Sequence, residues 1–365
     1  METKKLVEID GSYLEGGGQA LRNALSLSCI LRRPIRVVKI RANRPKPGLA
    51  NQHLHAVNLL KNITNADVVG NTLLSTELEF TPRTIIGDMY RADTHTAASI
   101  TLIYQTVLPV LLFAGRSSRV DLTGGTNVFF APQIEYMLQV LQPSLERFGI
   151  SFKLKVLHYG FCPRGNGRCQ LDVEPVRQVS AGQFLEFGQP QWVDGVSFCA
   201  GRIPMILATE MQETAVRVIH KLWPHQDCRI QVVKHSPEKA CDNGAGIVIV
   251  AHTSTGCVLG SSALGQKKVL AHMLGSDASS QLSGYISKEI CVDDNLQDQL
   301  IIFMALASGC SRFLSGPLTQ HTRTAIYVAE QMTGVKFNVA VNQSGQTVVS
   351  CEGIDYRNEL LQSNE

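Results

Sequence analysis

The chain has 365 residues, 44% hydrophobic and 18% charged, which is enough for about two packed domains and too apolar for disorder. A formal charge of +3 names no partner. Its distribution is more telling: Gly16 to Ala66 contains no Asp or Glu but holds Arg22, Arg32, Arg33, Arg36, Lys39, Arg41, Arg44, Lys46 and Lys61. A field of one sign attracts anions, phosphates above all. Ten cysteines without a C-x-x-C pair argue against a disulfide framework, a disulfide-linked partner and structural zinc. METKKLVEID opens charged and then strand-like, not as a secretory leader, so a reducing compartment is expected.

In chain order the elements form a unit repeated three times: strand, apolar helix, strand, loop, amphipathic helix, two strands. The first unit runs LVEID (6–10), QALRNALSLSCIL (19–31), IRVVKIRA (35–42), the loop NRPKPGLANQ (43–52), the helix 53–64, and then ADVVG and ELEFTP. In the second, MYRAD precedes an apolar helix over 97–113, RVDLT leads into GGTNVFFAP (124–132), a single helix is expected over 133–148, and FKLKVL and RCQLDVEPV close the unit. The stretch 97–115 has the length of a membrane span, but Ser99, Thr101, Gln105, Thr106 and Pro109 interrupt it, so a buried helix is expected. Residues 180–280 break the pattern and read as β-α-β-β-β, an inserted smaller α/β domain followed by a returning helix. In the third unit KEICVDD (288–294) is the expected opening strand, followed by helix 296–308, SRFLSGPLTQ (311–320), helix 321–332 and a closing hairpin. The expectation is an α/β fold of three β-α-β-α-β-β units. Residues 1–179 would form units one and two, 281–355 unit three and 356–365 a polar tail.

Four constellations can carry chemistry. Glu15-Gly16-Gly17-Gly18-Gln19 lies between a strand and a helix, where glycine permits close backbone approach and the helix start favours anions. The spacing fits neither a Walker A loop nor a dinucleotide fingerprint, and Glu15 there either coordinates a metal or caps the helix. Arg41, Arg44, Lys46 and the turn to Gln52-His53 offer guanidinium forks matched to phosphate oxygens, or else a solvated basic surface. His321, at a helix start between Gln320 and Thr322-Arg323-Thr324, is either a nucleophile forming a phosphoramidate or a helix-end histidine. Asp293-Asp294-Asn295 with Asp298 opens an apolar helix and either holds a ribose or metal or caps the helix. Gln105, midway along an apolar helix, must bond a ligand or nearby backbone.

Taken together, EGGGQ-x-LR (15–22), IRANRPKPGL-x-x-QH (40–53), QTVLP (105–109), GGTN…AP (124–132), LQDQL (296–300) and HT-x-TAI (321–326) resemble the RNA 3′-terminal phosphate cyclases over nearly the full length. The resemblance implies a ligase that uses ATP and a divalent metal, Mg2+ or Mn2+, to convert an RNA 3′-phosphate into a 2′,3′-cyclic phosphodiester. It implies His321 as the nucleophile, carrying AMP before an RNA(3′)pp(5′)A intermediate forms. By the same match Gln105, Pro132, Asn295, Asp298, Gln299 and His321 bind ATP. Arg22, Arg41, Arg44 and Gln52 bind the phosphates or RNA end, and Glu15 is a metal-associated carboxylate. Asn295 stands where many members carry Tyr. The resemblance also implies intracellular, nuclear residence, no membrane, and RNA with a 3′-phosphate end as partner. Two other readings stay open: a cyclase-like ribosome-biogenesis or rRNA-processing factor without activity, and an enolpyruvyl transferase. The first would lack the adenylylated histidine; the second would leave the insertion unexplained.

Overall fold

The computed structural model describes residues 6–240 and 242–361. It is a mixed α/β structure of four four-stranded sheets among the described residues. The first comprises β1 (Val7–Asp10), β2 (Ile35–Val38), β3 (Asp67–Val69) and β4 (Leu78–Thr81) in the order β1-β2-β4-β3. Helices α1 (Gln19–Leu31) and α2 (Asn51–Thr64) precede β2 and β3. In the second, β5 (Met89–Asp93), β6 (Ser118–Gly124), β7 (Phe152–His158) and β8 (Gly167–Val173) take the order β5-β6-β8-β7, with α3 (Ile100–Leu111) before β6. Both sheets have one parallel pair at the opening strand and two antiparallel pairs.

The helix expected over 133–148 is interrupted. It consists of α4 (Ile134–Tyr136), a π-helical turn at Met137–Leu141, and α5 (Gln142–Glu146). Pro143 supplies the reason: its nitrogen cannot donate and its ring would meet the carbonyl four residues back, so the preceding turn widens.

The short strand β9 (Gln183–Phe184) follows. A third sheet then joins β10 (Pro190–Ala200), β11 (Asp227–Lys234), β12 (Gly244–Thr253) and β13 (Val258–Leu264), in the order β11-β10-β12-β13. Helices α6 (Met205–Leu222) and α7 (Ala271–Ser287) pack on each other and on this sheet. The last unit holds α8 (Gln297–Leu306), β14 (Cys310–Ser315), α9 (Gln320–Thr333), β15 (Phe337–Val341) and β16 (Thr347–Glu352).

The opening strand of this last sheet is not KEICVDD. The parallel partner of β14 is β9, more than a hundred residues earlier, giving β9-β14-β16-β15. Val292 makes only an isolated bridge to Ser315, because Asp293 turns the chain away to accept four hydrogen bonds described below. The KEICVDD expectation is therefore corrected.

The helices that follow the opening strands are apolar nearly all round because they lie inside: α1 packs on α2, α3 and α9, and α8 packs on α3 and α9. Leu21, Leu25, Val107, Leu300 and Val328 are fully buried there. Ser26 Oγ donates to Thr106 O at 2.8 Å, tying α1 to α3, and Arg33 Nη1 donates to Met332 O at 2.8 Å, tying α1 to α9. The starts of α1 and α8 and the middle of α3 line one cleft. No described helix is long and apolar enough to cross a membrane, and the nine described cysteines are free.

Candidate active site

His321 sits in the first turn of α9. Thr319 caps that helix by accepting from Thr322 N at 3.1 Å. The buried amide of Gln297, on the neighbouring α8, accepts from both Thr319 N at 3.2 Å and Thr322 Oγ1 at 2.9 Å. Two helix starts are thus locked together directly beneath the imidazole. The His321 side chain is 48% exposed, and its Nδ1 lies 2.9 Å from Glu15 Oε2. An ionised carboxylate can only accept, so a proton on Nδ1 would face Glu15 and leave the Nε2 lone pair free. Partial desolvation pushes the imidazole below its ordinary pKa, with Arg22 and Arg44 acting the same way, while Asp298 opposes them. The ring is therefore neutral near pH 7.

Glu15 reaches this position from the loop ahead of α1, and its other oxygen, Oε1, pairs with Arg44. The glycines after it leave room for this: a Cβ on Gly17 would fall 2.0 Å from Glu15 Oε1. Gly18, the residue before α1, lies against His53, whose Nε2 would be 2.2 Å from a Cβ there. His53 is 3% exposed. Its Nδ1 accepts from Ala50 N at 3.3 Å, so Nε2 carries the proton; that atom is buried without a hydrogen-bond partner among the described residues. Burial, with Arg22 and Arg41 nearby, pushes its pKa down to about 3, keeping it neutral. An unpaired N–H donor beside the start of α1 and beside Arg22 suits an anion.

Arg22 donates to Gln19 Oε1. Desolvation lowers its pKa to about 10, and the Asp298 carboxylate counters that. Asp298 is itself raised by burial, with His321 and Arg22 holding it back. Gln105 Nε2 donates to Gln299 Oε1 at 2.8 Å, and Gln299 Nε2 donates to the Asn295 carbonyl at 2.6 Å. Gln19, Arg22, Gln105, Asp298, Gln299 and Phe303 are among the walls of a narrow cleft between α1, α3 and α8.

The remaining sequence candidates do not line this cleft. Pro132 is anchored by its carbonyl, which accepts from Thr101 Oγ1 at 2.8 Å. Gln52 lies in the first turn of α2 beside His53. Arg41 turns its guanidinium inward: Nη1 donates to Lys46 O at 2.9 Å and Gly48 O at 2.8 Å. It braces the loop that presents Arg44, a role the spacing alone did not reveal. Asp293 is a structural cap. It accepts from Tyr136 Oη at 2.6 Å, Gly260 N at 2.7 Å, Asn295 N at 2.9 Å and Leu296 N at 3.0 Å.

Sequence reading passed over Gln297 and Tyr136. A polar amide opening an apolar helix was the available signal for Gln297; Tyr136 gave none. The Glu15 carboxylate also tests the implied divalent metal. Its oxygens face Arg44 and His321, and no group of three His, Cys, Asp or Glu side chains converges among the described residues. Both Glu15 oxygens are nonetheless buried without a hydrogen-bond partner among the described residues, an arrangement that suits a cation ligand.

Cleft and imidazole together define an α/β protein with basic side chains and a partly exposed histidine near one pocket. The family described as RNA 3′-terminal phosphate cyclase matches residues 13–339. An RNA 3′-terminal phosphate cyclase of Drosophila melanogaster is 63% identical over 361 residues, covering 99% of this chain and 100% of that one. One from Pyrobaculum aerophilum is 37% identical, over 96% of this chain and 99% of its own. A probable RNA 3′-terminal phosphate cyclase of Dictyostelium discoideum is 37% identical, over 98% and 84% respectively. The chain belongs to the RNA 3′-terminal phosphate cyclase family, a family of ligase-type enzymes. A solved enolpyruvyl transferase, NikO of Streptomyces tendae, superimposes with a TM-score of 0.39 at 9% identity, over 99% of this chain and 50% of that one, a likeness too weak to bear on fold or function.

Proposed function

We propose that the chain cyclises RNA 3′-phosphate ends at the expense of ATP, through AMP covalently held on His321. The observation that carries this is the Nδ1 contact to Glu15 at 2.9 Å, which leaves Nε2 as the attacking atom at the mouth of a cationic cleft. Nε2 forms a bond to the α-phosphorus of ATP, and the bond to pyrophosphate breaks. The resulting imidazolium is held by the Glu15 carboxylate. An oxygen of the RNA 3′-phosphate then attacks the same phosphorus and displaces His321, giving an RNA(3′)pp(5′)A anhydride. The neighbouring 2′-OH attacks the terminal RNA phosphorus and expels AMP. Adenylylation turns a poor leaving group into a good one, and the intramolecular last step needs little beyond positioning.

Arg22, Arg44 and the His53 N–H would meet the charge developing on phosphoryl oxygens. Asp298, Gln299 and Gln105 would hold the nucleoside, together with Asn295 and Pro132. Arg41 and Gln52 support the phosphate side. RNA processing in the nucleus is the setting this reading carries.

The test supplies ATP and an oligonucleotide ending in a 3′-phosphate. The expected result is a terminus resistant to phosphatase, with AMP and pyrophosphate released in equal amounts. An untouched terminus would return the chain to the binding-factor reading, under which the Glu15–His321 contact has no purpose.

A further inference from the structure

Phe130 combines two costs that are rarely met in one residue. Its side chain is fully exposed, at 100%, and its φ is +63°, in the left-handed region that a bulky L residue avoids. Phe129 beside it is 37% exposed. Neither burial nor local preference explains this conformation, so something else keeps it.

The loop that carries the pair is rigid at both feet. Thr126 N donates to Gly160 O at 2.9 Å, and Gly125 N donates to Ala98 O at 2.8 Å. The buried Asn127 Nδ2 donates to Glu135 Oε2 at 2.6 Å and to Gln133 Oε1 at 3.2 Å, closing the base of the loop across its tip. Pro132, two residues past Phe130, is fastened to Thr101. Thr101 lies one helical turn before Gln105 on the same face of α3, and Gln105 lines the cleft. On the other side, Asn51 Nδ2 donates to Thr96 Oγ1 at 3.1 Å, joining the turn before α3 to the turn that bears Gln52 and His53. A fixed loop therefore presents an uncovered aromatic face, anchored to the helix that carries Gln105 and, through the turn before that helix, to the start of α2.

We infer that Phe130 is a stacking platform for a nucleobase of the RNA strand near its 3′ end, a subsite outside the nucleotide cleft. The inference rests on the proposed RNA cyclisation. Stacking suits it because every base has a π-face, so one ring can serve ends of many sequences. The nucleotide is proposed to bind in the cleft between α1, α3 and α8, whereas a ring wholly in solvent meets a strand arriving from outside.

The experiment compares wild type, Phe130→Ala and Phe130→Trp in two assays. Labelling of the protein from ATP alone reads the first half-reaction; KM for a 3′-phosphorylated oligonucleotide reads RNA engagement. For Phe130→Ala we expect KM for RNA to rise about ten-fold, within the span of base–aromatic stacking, while ATP-only labelling keeps its wild-type rate. Phe130→Trp should restore the KM. Oligonucleotides made abasic at successive positions near the end should, at one position, erase the difference between wild type and Phe130→Ala. Slower ATP-only labelling in Phe130→Ala would assign the ring to adenine and overturn the proposal. So would an unchanged KM, or a rise that persists with every abasic oligonucleotide. Absence of cyclisation in the wild type would instead defeat the proposed function, a distinct outcome.

Discussion

Asp293, ahead of α8, and Glu15, ahead of α1, are carboxylates on two approaches to the same cleft, and they are held in opposite ways. Asp293 is fully buried. Its acceptor positions are filled by a phenol from α4, a backbone N–H from β13 and two N–H groups of its own turn. Burial still raises its pKa to about 6. Among the described residues Glu15 pairs with the side chains of Arg44 and His321, both of them substantially exposed. The difference separates scaffold from chemistry: a carboxylate locked by donors from three elements fixes where α8 begins, whereas one facing a mobile guanidinium and an imidazole can exchange partners when a phosphate arrives.

The largest effect expected from this contrast is on stability. Asp293→Ala would leave the Tyr136 hydroxyl and the Gly260 N–H buried without an acceptor, costing about 3 kcal/mol or more. Denaturant unfolding measures it, and unchanged stability would erase the distinction. Glu15→Gln should behave conversely. The variant should unfold at the wild-type midpoint, while single-turnover labelling by ATP slows about 100-fold as the imidazole loses its charged partner. A marked loss of stability instead would make Glu15 scaffold as well.

A smaller effect sharpens the electrostatics. His321 must be neutral to attack, so labelling is lost as pH falls through its pKa, which already lies below the ordinary imidazole value. Asp298 is the group that raises it. Asp298→Asn should therefore lower it further and move the acid limb of the labelling rate to lower pH, by less than about one unit. A shift toward higher pH would contradict the placement of Asp298 beside the ring.

Much of this was legible in the sequence because it rests on local rules. The apolar helix 19–31 coincides with α1, and the Gly triplet, the arginines and His321 all fall at element ends, where loops and caps gather. What escaped depends on contacts distant in sequence. Strand β9 is two residues long, too short for any periodicity, and only β14 identifies it. KEICVDD has the composition of a strand, but Asp293 is drawn off by Tyr136 and Gly260, from parts of the chain that no local pattern connects. The inward turn of Arg41 follows from a positive φ of 54° at that residue, a conformation its side chain does not announce. The π-helical turn before Pro143 was hidden because the apolar spacing runs on through it, although the proline itself was the available warning.

The account centres on the bond between His321 and AMP. Incubating the protein with ATP labelled at the α-phosphate, without RNA, measures it directly. The account predicts acid-labile, alkali-stable label on the wild-type chain, passed on when a 3′-phosphorylated oligonucleotide is added, and no label on His321→Ala. Label retained by folded His321→Ala, or none on the wild type, would contradict it.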